Sequence, residues 1–377
     1  MSDRVYVRIR RRLIDGEPVE HAIRAETSAL TSMQQLSDIR NHVAATLNGP
    51  GAQVSALLET PGVTDVLINP DGVWVDDAHG LRRIDLDPEV RRRLEVSTEQ
   101  QRRALAVRMA AACGVRLDDA SPIADGQLPD GTRLHAVLHP LAVDGTVMSL
   151  RTRRRDTLTL DDLERLGSID APARRLITRL IESRASVVVS GATGSGKTTL
   201  LGAAIHAMRA DERIVCIEDV PELRLNHPHA VMLAARRPNV HGEGEVTLAD
   251  LVRAAMRMRP DRLILGEARG GEVRDVLTAF NTGHDGGWVT VHANSAEDVA
   301  ARLVALGALA NLAVETVSAQ AVAALDAVIH MGRDGATRQV VEIAVIPNRP
   351  PLRMIPAWRR GSLCPDGWRM MEQRWGV

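Results

Sequence analysis

A complete phosphate-binding loop, Gly191-Ala-Thr-Gly-Ser-Gly-Lys197-Thr198, contains the one lysine of the chain, against 46 arginines elsewhere. Glycines at these spacings let successive backbone N–H groups point into one anion-sized concavity, and the helix that follows adds its positive end. Lys197 can then reach the β- and γ-phosphates of a nucleotide, and the Thr198 hydroxyl can bind Mg²⁺. The loop therefore predicts that the chain binds ATP and Mg²⁺. The predicted nucleotide-binding residues are Gly191, Ala192, Thr193, Gly194, Ser195, Gly196, Lys197, Thr198 and Thr199.

A carboxylate at the end of an apolar segment is the first candidate for catalysis. Residues 263–267, Leu-Ile-Leu-Gly-Glu, place Gly266 where such a strand usually carries an aspartate, so the acidic role falls to Glu267. Nucleotide hydrolysis needs a carboxylate that holds the metal or orients water. We therefore predict that Glu267 is a catalytic residue and, together with Thr198, a metal ligand.

Three further acids follow a second apolar segment, in Cys-Ile-Glu-Asp-Val-Pro-Glu at residues 216–222. Glu218 and Glu222 are candidates to polarise water, and Asp219 could support their geometry. For any one of these acids, a solvated strand end is an equally good explanation. The pattern leaves open which of Glu218, Glu222 and Glu267 activates water.

Two histidines flank another apolar segment, in Thr-Gly-His-Asp-Gly at 282–286 and in Thr-Val-His-Ala-Asn at 290–294. An imidazole at such a place could sense the γ-phosphate or relay a conformational change, so His292 is a catalytic candidate. A hydrogen-bonded structural histidine is the alternative. The spacing of His284 and His292 does not fit a metal site, because they are not a helical pair and no cysteine accompanies them.

The elements that must position these residues alternate between strands and helices. Short apolar strands are predicted at 186–190, 213–217, 262–265 and 287–291, and the phosphate loop lies between the first strand and a helix at 198–208. A terminal hairpin is predicted to turn at Asp334-Gly335. Alternation of this kind indicates an α/β fold with a largely parallel sheet, and the acids and histidines follow strands, where such sheets bind ligands.

The first 150 residues predict a separate, smaller α+β domain. A helix is predicted over 21–48, strands at 63–68 and 73–75, and a capping box at 97–100 before an Ala-rich helix. Strands at 132–138 and 146–151 complete this domain. The predicted organisation is an N-terminal helical extension (1–50), the α+β domain (51–150), a linker (151–160), an ATPase domain (161–346) and a C-terminal tail of unknown role (347–377).

Composition and charge narrow the class of protein. The net charge is −1 and only 2% of residues are aromatic, which argues against a protein whose affinity comes from nucleic-acid phosphates and stacked bases, so no direct DNA binding is expected. Three isolated cysteines argue against disulfides and thiolate zinc sites. The N-terminus lacks a signal-peptide core, and the most apolar segment, 303–314, is too short to cross a bilayer. These features predict a cytoplasmic protein with peripheral membrane contact at most.

Four segments, in this order along the chain, resemble the motifs of the type II/IV secretion-system ATPase family. They are a Walker A loop (Gly191–Thr198), an Asp box (Arg213–Leu223), a Walker B ending in Gly-Glu (Leu263–Arg269) and a His box (Thr282–His292). The run Met258–Glu272 looks most like the tight-adherence (Flp) pilus-assembly branch, the CpaF/TadA type. The resemblance covers most of residues 60 to 330.

This resemblance implies a fold, an assembly and a function. Family members are homohexameric rings in which a RecA-like P-loop domain follows a smaller N-terminal domain. By that similarity, Arg133 and Arg151 would approach the phosphates and neutralise charge in the transition state. The expected function is an ATP-hydrolysing motor, peripherally associated with the inner membrane, that acts on a membrane platform protein during pilus assembly or type II/IV secretion.

Three other functions remain open from the sequence. One is a nucleic-acid translocating ATPase of the conjugation or helicase kind, which single-stranded DNA would stimulate. Another is a P-loop kinase, which needs an acceptor pocket and has no reason to form a nucleotide-sensitive hexamer. The last is a nucleotide-gated scaffold without catalysis, which would tolerate loss of Lys197, Thr198, Glu218 and Glu267, whereas all four are present.

Overall fold

The chain forms two compact units, Met1–Arg154 and Arg155–Val377. The computed structural model describes residues 8, 9, 12, 17, 19–26, 49–77, 80–85, 96–152, 157–223, 225–236, 238, 243–283, 285–334 and 337–376. Within these residues, no helix has both the length and the apolar content that a bilayer span requires.

The described part of the N-terminal unit is built on an antiparallel sheet of six strands, in the order β3-β2-β1-β6-β5-β4. The strands are Asp65–Asn69 (β1), Gly72–Asp77 (β2), Gly80–Arg83 (β3), Ile123–Gln127 (β4), Arg133–Val137 (β5) and Val147–Arg151 (β6). The helices are Val19–Glu26 (α1), Ala52–Glu59 (α2) and Glu99–Ala112 (α3). Alternate residues of β1, β5 and β6 are fully buried, because one face of the sheet packs on α2 and α3 around a single apolar core.

In this unit, the sequence predicts the correct kinds of element but places some of their boundaries away from those in the structure. The predicted capping box at 97–100 is wrong by one residue: Thr98 is the N-cap of α3, and its hydroxyl accepts the Gln101 N–H while the Gln101 side chain accepts the Thr98 N–H. The helix predicted over 21–48 is seen as α1 up to Glu26, and residues 27–48 lie outside the described part of the chain. Arg151 is the last residue of β6 rather than part of a linker.

The described part of the C-terminal unit has a nine-stranded sheet, in the order β15-β14-β13-β12-β7-β11-β10-β8-β9. The run from β12 to β9 is parallel, and β13, β14 and β15 extend it antiparallel. Its strands are Val187–Gly191 (β7), Ile214–Glu218 (β8), Ala230–Ala234 (β9), Arg262–Leu265 (β10), Trp288–Val291 (β11), Ala327–Asp334 (β12), Thr337–Val345 (β13), Ile355–Arg359 (β14) and Ser362–Leu363 (β15).

Helices cover both faces of this sheet. They are Leu160–Arg165 (α4), Ala171–Glu182 (α5), Lys197–His206 (α6), Leu248–Ala255 (α7), Val273–Asn281 (α8), Asp298–Leu309 (α9), Val314–Ala324 (α10) and Pro365–Trp375 (α11). One core contains residues of α4, α5, α6 and α11, and the other contains residues of α7 to α10. Because both faces are covered, β7, β8, β10 and β11 are buried along their whole length, as expected for central parallel strands.

The segment predicted as a separate tail belongs to the nine-stranded sheet, so a domain boundary after residue 346 is wrong. β14 pairs with β13, and Trp358 is fully buried in the same core as β7. Met371 of α11 is buried there too, and Arg374 of α11 forms an ion pair with Asp326, whose carboxylate accepts the Ser186 N–H at 2.6 Å. The C-terminal helix is thereby fixed to the start of β7.

Candidate functional site

The phosphate loop connects the carboxyl end of β7 to α6, and two of its glycines are required by the structure. A Cβ at Gly191 would lie 2.5 Å from the Met331 carbonyl oxygen and 2.6 Å from Ser195 Oγ. Gly196 caps α6 with φ of 100°, a left-handed conformation that favours glycine. The strand, loop and helix predicted around the motif are therefore present.

Lys197 is held inside the loop, with 7% of its surface exposed. Its ammonium donates to the carbonyl oxygens of Gly191 and Ala192, both at 2.9 Å, and lies 3.3 Å from Nδ1 of His292. Burial lowers the pKa of Lys197 from its ordinary value, and the nearby Glu267 carboxylate acts in the opposite direction. The three N–H donors of the ammonium thus match three acceptors that phosphate oxygens can replace.

His292 links Lys197 to Glu267. Its Nδ1 faces the ammonium and accepts, so the imidazole proton resides on Nε2, the atom that lies against Oε1 of Glu267. Burial, and after it the Lys197 charge, lowers the pKa of His292, which keeps the ring neutral near pH 7. His292 therefore connects the Lys197 ammonium directly to the Glu267 carboxylate.

Arg269 holds the other oxygen of Glu267. Its Nε and Nη2 donate to Oε2 at 2.7 and 2.5 Å, and its Nη1 lies 3.5 Å from Oδ2 of Asp219. Glu272 fixes the turn that carries Arg269, because one of its carboxylate oxygens accepts the N–H groups of Arg269 and Gly270 at 2.6 and 2.8 Å. Sequence reasoning gave neither residue a role, although both stand in the run Gly-Glu-Ala-Arg-Gly-Gly-Glu.

Glu218 occupies the space that a side chain at Gly266 would fill. A Cβ at Gly266 would lie 2.7 Å from Cγ of Glu218, and the buried Glu218 carboxylate accepts the N–H groups of Glu222 and Leu223 at 3.1 Å. The glycine in place of the usual aspartate is therefore explained by geometry: β8 supplies a carboxylate where β10 has none.

The loop and its surroundings fit a nucleotide with its metal. Among the residues that the structure describes, the buried Ser195 hydroxyl has no hydrogen-bond partner, as expected of a group that can donate to a bound anion. Thr198 and Thr199, at the start of α6, are half-buried. In the described part of the chain, no cluster of three or more histidine, cysteine or acidic side chains could hold a metal. The residues present suit Mg²⁺ that keeps water and phosphate ligands.

The remaining predicted residues are placed as follows. Burial lowers the pKa of Lys197, and Glu222 lies close enough for its charge to oppose this shift slightly. Arg133 and Arg151 belong to the N-terminal unit, where they face each other across β5 and β6, and Arg151 donates to Asp65 at 2.9 Å. His284 lies outside the described residues.

One buried pair near the loop has no counterpart in the sequence motifs. Ser190, the residue before the loop, lies opposite His330 of β12, and its Oγ is 2.9 Å from Nδ1 of that histidine. His330 also donates to the backbone of Asn294, two residues after His292. Burial lowers the pKa of His330. A polar residue at a buried strand position was the only available signal, since the pairing itself depends on strand register.

Comparisons with known proteins identify the family of the chain. A family model described as Type II/IV secretion system protein matches residues 52–339. A putative conjugal transfer protein of Mycobacterium tuberculosis is 49% identical over 308 residues, which are 80% of this chain and 85% of that protein. The conjugal transfer protein TrbB of Rhizobium radiobacter is 32% identical over 300 residues, 78% of this chain and 86% of that protein.

The solved structure of the pilus retraction motor PilT with bound ADP has a TM-score of 0.54 and 21% sequence identity, and the match covers 78% of this chain and 82% of that one. This likeness confirms the RecA-like ATPase fold. The two relatives carry the names of conjugal transfer proteins, so the tight-adherence branch stays a prediction. The sequence match, the order of the four motifs and the connected site agree: the chain belongs to the type II/IV secretion system ATPase family.

Proposed function

We propose that this protein is an ATP-hydrolysing motor of a pilus-assembly or secretion machine, of the tight-adherence (Flp) type. The observation that supports this proposal most is the unbroken contact from Lys197 through His292 to Glu267, which joins phosphate binding to the catalytic edge of the sheet. A homohexamer, a platform protein in the inner membrane and peripheral attachment to that membrane are parts of the same proposal.

Each residue has a role in hydrolysis. Lys197 and the loop N–H groups bind the phosphates, and Thr198 with Glu267 would hold Mg²⁺, which supplies charge neutralisation at the leaving phosphates. Glu218, Glu222 and Glu267 are the candidates to accept the proton of the attacking water. His292 contacts both residues and so couples the position of Lys197 to that of Glu267. Arg133 and Arg151 contribute positive charge in the transition state.

Purified wild-type protein is expected to hydrolyse ATP, and Lys197→Ala is expected to abolish turnover because the phosphates lose their cation. Glu267→Gln is expected to bind ATP without releasing phosphate. Light scattering with a non-hydrolysable ATP analogue should give a hexamer, and the membrane protein that co-purifies with Glu267→Gln should be a platform component. Normal turnover by Lys197→Ala would overturn the site assignment.

A nucleic-acid translocating ATPase is the second candidate, because both named relatives are conjugal transfer proteins. The near-neutral charge and the low aromatic content weigh against direct DNA contact. The two candidates differ in what stimulates the enzyme. A several-fold rise in turnover with single-stranded DNA, and none with platform protein, would establish the second candidate in place of the first.

A further inference from the structure

The hairpin of β12 and β13 forms one wall of the phosphate loop. Met331 of β12 pairs with Gly191, and its carbonyl oxygen is the atom that a Cβ at Gly191 would meet. The Met331 side chain also lies 3.2 Å from the position of a Cβ at Gly196. The register of the hairpin shifts between His330 and Met331, and such irregularities occur next to active sites, where they re-aim side chains.

Arg338 of β13 lies against this loop. Its Cβ and Cδ are 3.5 and 3.7 Å from the position of a Cβ at Gly196, the residue that caps α6. The stem of the arginine therefore packs on the loop beside the first backbone N–H groups of the helix, which are the groups that bind phosphate in this kind of site.

The charge of Arg338 has no partner within the part of the chain that the structure describes, although the residue is half-buried. Its neighbour across the hairpin is Arg333, so two cations stand directly opposite each other. Like charges at opposed positions of an antiparallel pair are destabilising. An arrangement of this kind next to a phosphate loop is explained if an anion offsets the charge when the site is filled.

We propose that Arg338 is a further nucleotide-binding residue, whose guanidinium contacts a phosphate of ADP and ATP from the side of the β12–β13 hairpin. This inference rests on the proposed function, since it needs a nucleotide in the loop. The contact strengthens binding of substrate and product alike. It therefore acts on affinity and leaves the chemical step unchanged.

The matched test compares the same substitution at two ends of one sheet. Arg338→Met keeps the stem that packs on Gly196 and removes the charge. Arg353→Met makes the identical change at an exposed position beyond Val345 and Ile355, at the opposite end of β13 from the loop. Because a charge-assisted hydrogen bond is lost, Arg338→Met is expected to raise the Kd for ADP about tenfold. Arg353→Met should change it less than about twofold, within the usual effect of surface changes.

Two further measurements test whether Arg338 contacts the phosphates of the nucleotide. Pyrophosphate should displace a fluorescent ADP analogue from wild type about ten times more readily than from Arg338→Met, as expected when the lost contact is a charged hydrogen bond to phosphate. Arg338→Lys should bind ADP with intermediate affinity, and it tests the proposal independently if Arg338→Met does not fold. At saturating ATP, the Arg353→Met control should keep the wild-type kcat.

Several outcomes would overturn the inference. They are an unchanged Kd for Arg338→Met, an equal loss in Arg353→Met, a lowered kcat with unchanged affinity, or pyrophosphate competition that does not respond to the substitution. Failure of the proposed function is distinguishable, because wild-type protein would then hydrolyse no ATP, or would be stimulated by single-stranded DNA and not by platform protein, whereas the Kd for ADP and its response to Arg338→Met are measured separately.

Discussion

The two sheets of this protein place polar residues by different rules. In the N-terminal unit, β5 and β6 alternate buried and accessible positions, so a charged residue can stand anywhere on the open face. In the C-terminal unit, the central strands are buried on both faces, and Glu218, Glu267 and His292 stand at or just after strand ends. A charged side chain buried in the parallel sheet therefore needs a specific partner, whereas an arginine on the open face of the antiparallel sheet does not.

Two arginines illustrate the difference. Arg262, in the parallel sheet, is 1% exposed and donates to the Glu212 carboxylate at 2.7 Å and to the Ile181 carbonyl at 2.7 Å. Arg151, in the antiparallel sheet, has 59% of its side chain exposed and pairs with Asp65 at 2.9 Å. Geometry makes the first pair structural, because a buried charge must be compensated. The exposed Arg151–Asp65 pair has no such structural requirement, so Arg151 can have another role.

Arg151→Met gives the largest expected effect and could break the comparison. If Arg151 stabilises the transition state, turnover should fall about a thousandfold, as for other arginine fingers, while stability changes by less than about 1 kcal/mol. Steady-state ATPase assays and urea unfolding measure the two quantities. Arg82→Met, another exposed arginine of the same sheet, is the control, since its ion pair with Asp77 is equally superficial. Wild-type turnover in Arg151→Met would remove this residue from the catalytic set.

Arg262→Met tests the buried ion pair of the parallel sheet. Removing one partner of the buried pair leaves Glu212 uncompensated, so the free energy of unfolding should fall by about 3 kcal/mol or more. Urea unfolding of the variant provides the measurement, with Arg151→Met as the exposed counterpart. Equal stability losses in the two variants would show that burial does not separate the two sheets energetically.

Gly266→Ala tests whether the strand end of the parallel sheet is built around Glu218. The added Cβ would displace the Glu218 side chain, and turnover should fall about a hundredfold because misplaced catalytic groups cost this much. Gly202→Ala in α6 is the control: its Cβ would make an ordinary 3.6 Å contact with Leu223, and helix propensity should stabilise it by about 0.5–1 kcal/mol. Wild-type turnover by Gly266→Ala would show that hydrolysis does not depend on this position of the Glu218 side chain.

The smallest expected effect is on pH dependence. Burial lowers the pKa of His330 from 6.5, so the unfolded chain binds a proton more readily than the folded one. This contribution to stability is present above about pH 6.5 and is lost as pH falls toward the lower folded pKa. His330→Asn should therefore flatten the decline of the melting temperature below that pH. The exposed His135 of β5 provides the control, His135→Asn, and an equal flattening there would contradict the assignment.

The elements around the phosphate loop could be predicted because their signals are local. A buried strand, a glycine loop and a helix follow one another within the segment 186–208, and nothing distant is needed to recognise them. The same holds for the end of β10 at Glu267. The cap of α3 is one residue away from its predicted place because Ser97 and Thr98 each have a glutamine three residues later, so the capping-box pattern fits both.

The contacts within the site could not be predicted, because they depend on which strands become neighbours. Glu218 lies beside Gly266 only since β8 and β10 pair in register, and Ser190 meets His330 only since β7 pairs with β12. The sequence did not predict strand β14 for a different reason. Its sequence, Ile-Pro-Ala-Trp-Arg, is short and has a proline at its second position, which usually argues against a strand.

The burial of Trp358 has a practical consequence for spectroscopy. Four of the five tryptophans, Trp288, Trp358, Trp368 and Trp375, belong to the C-terminal unit, and the first two are almost completely shielded from water. Tryptophan emission should therefore shift to longer wavelength mainly when the nucleotide-binding unit unfolds. Trp74 is the sole indole of the N-terminal unit, so a Trp74→Phe protein turns intrinsic fluorescence into a signal from the ATPase unit only, without any attached dye.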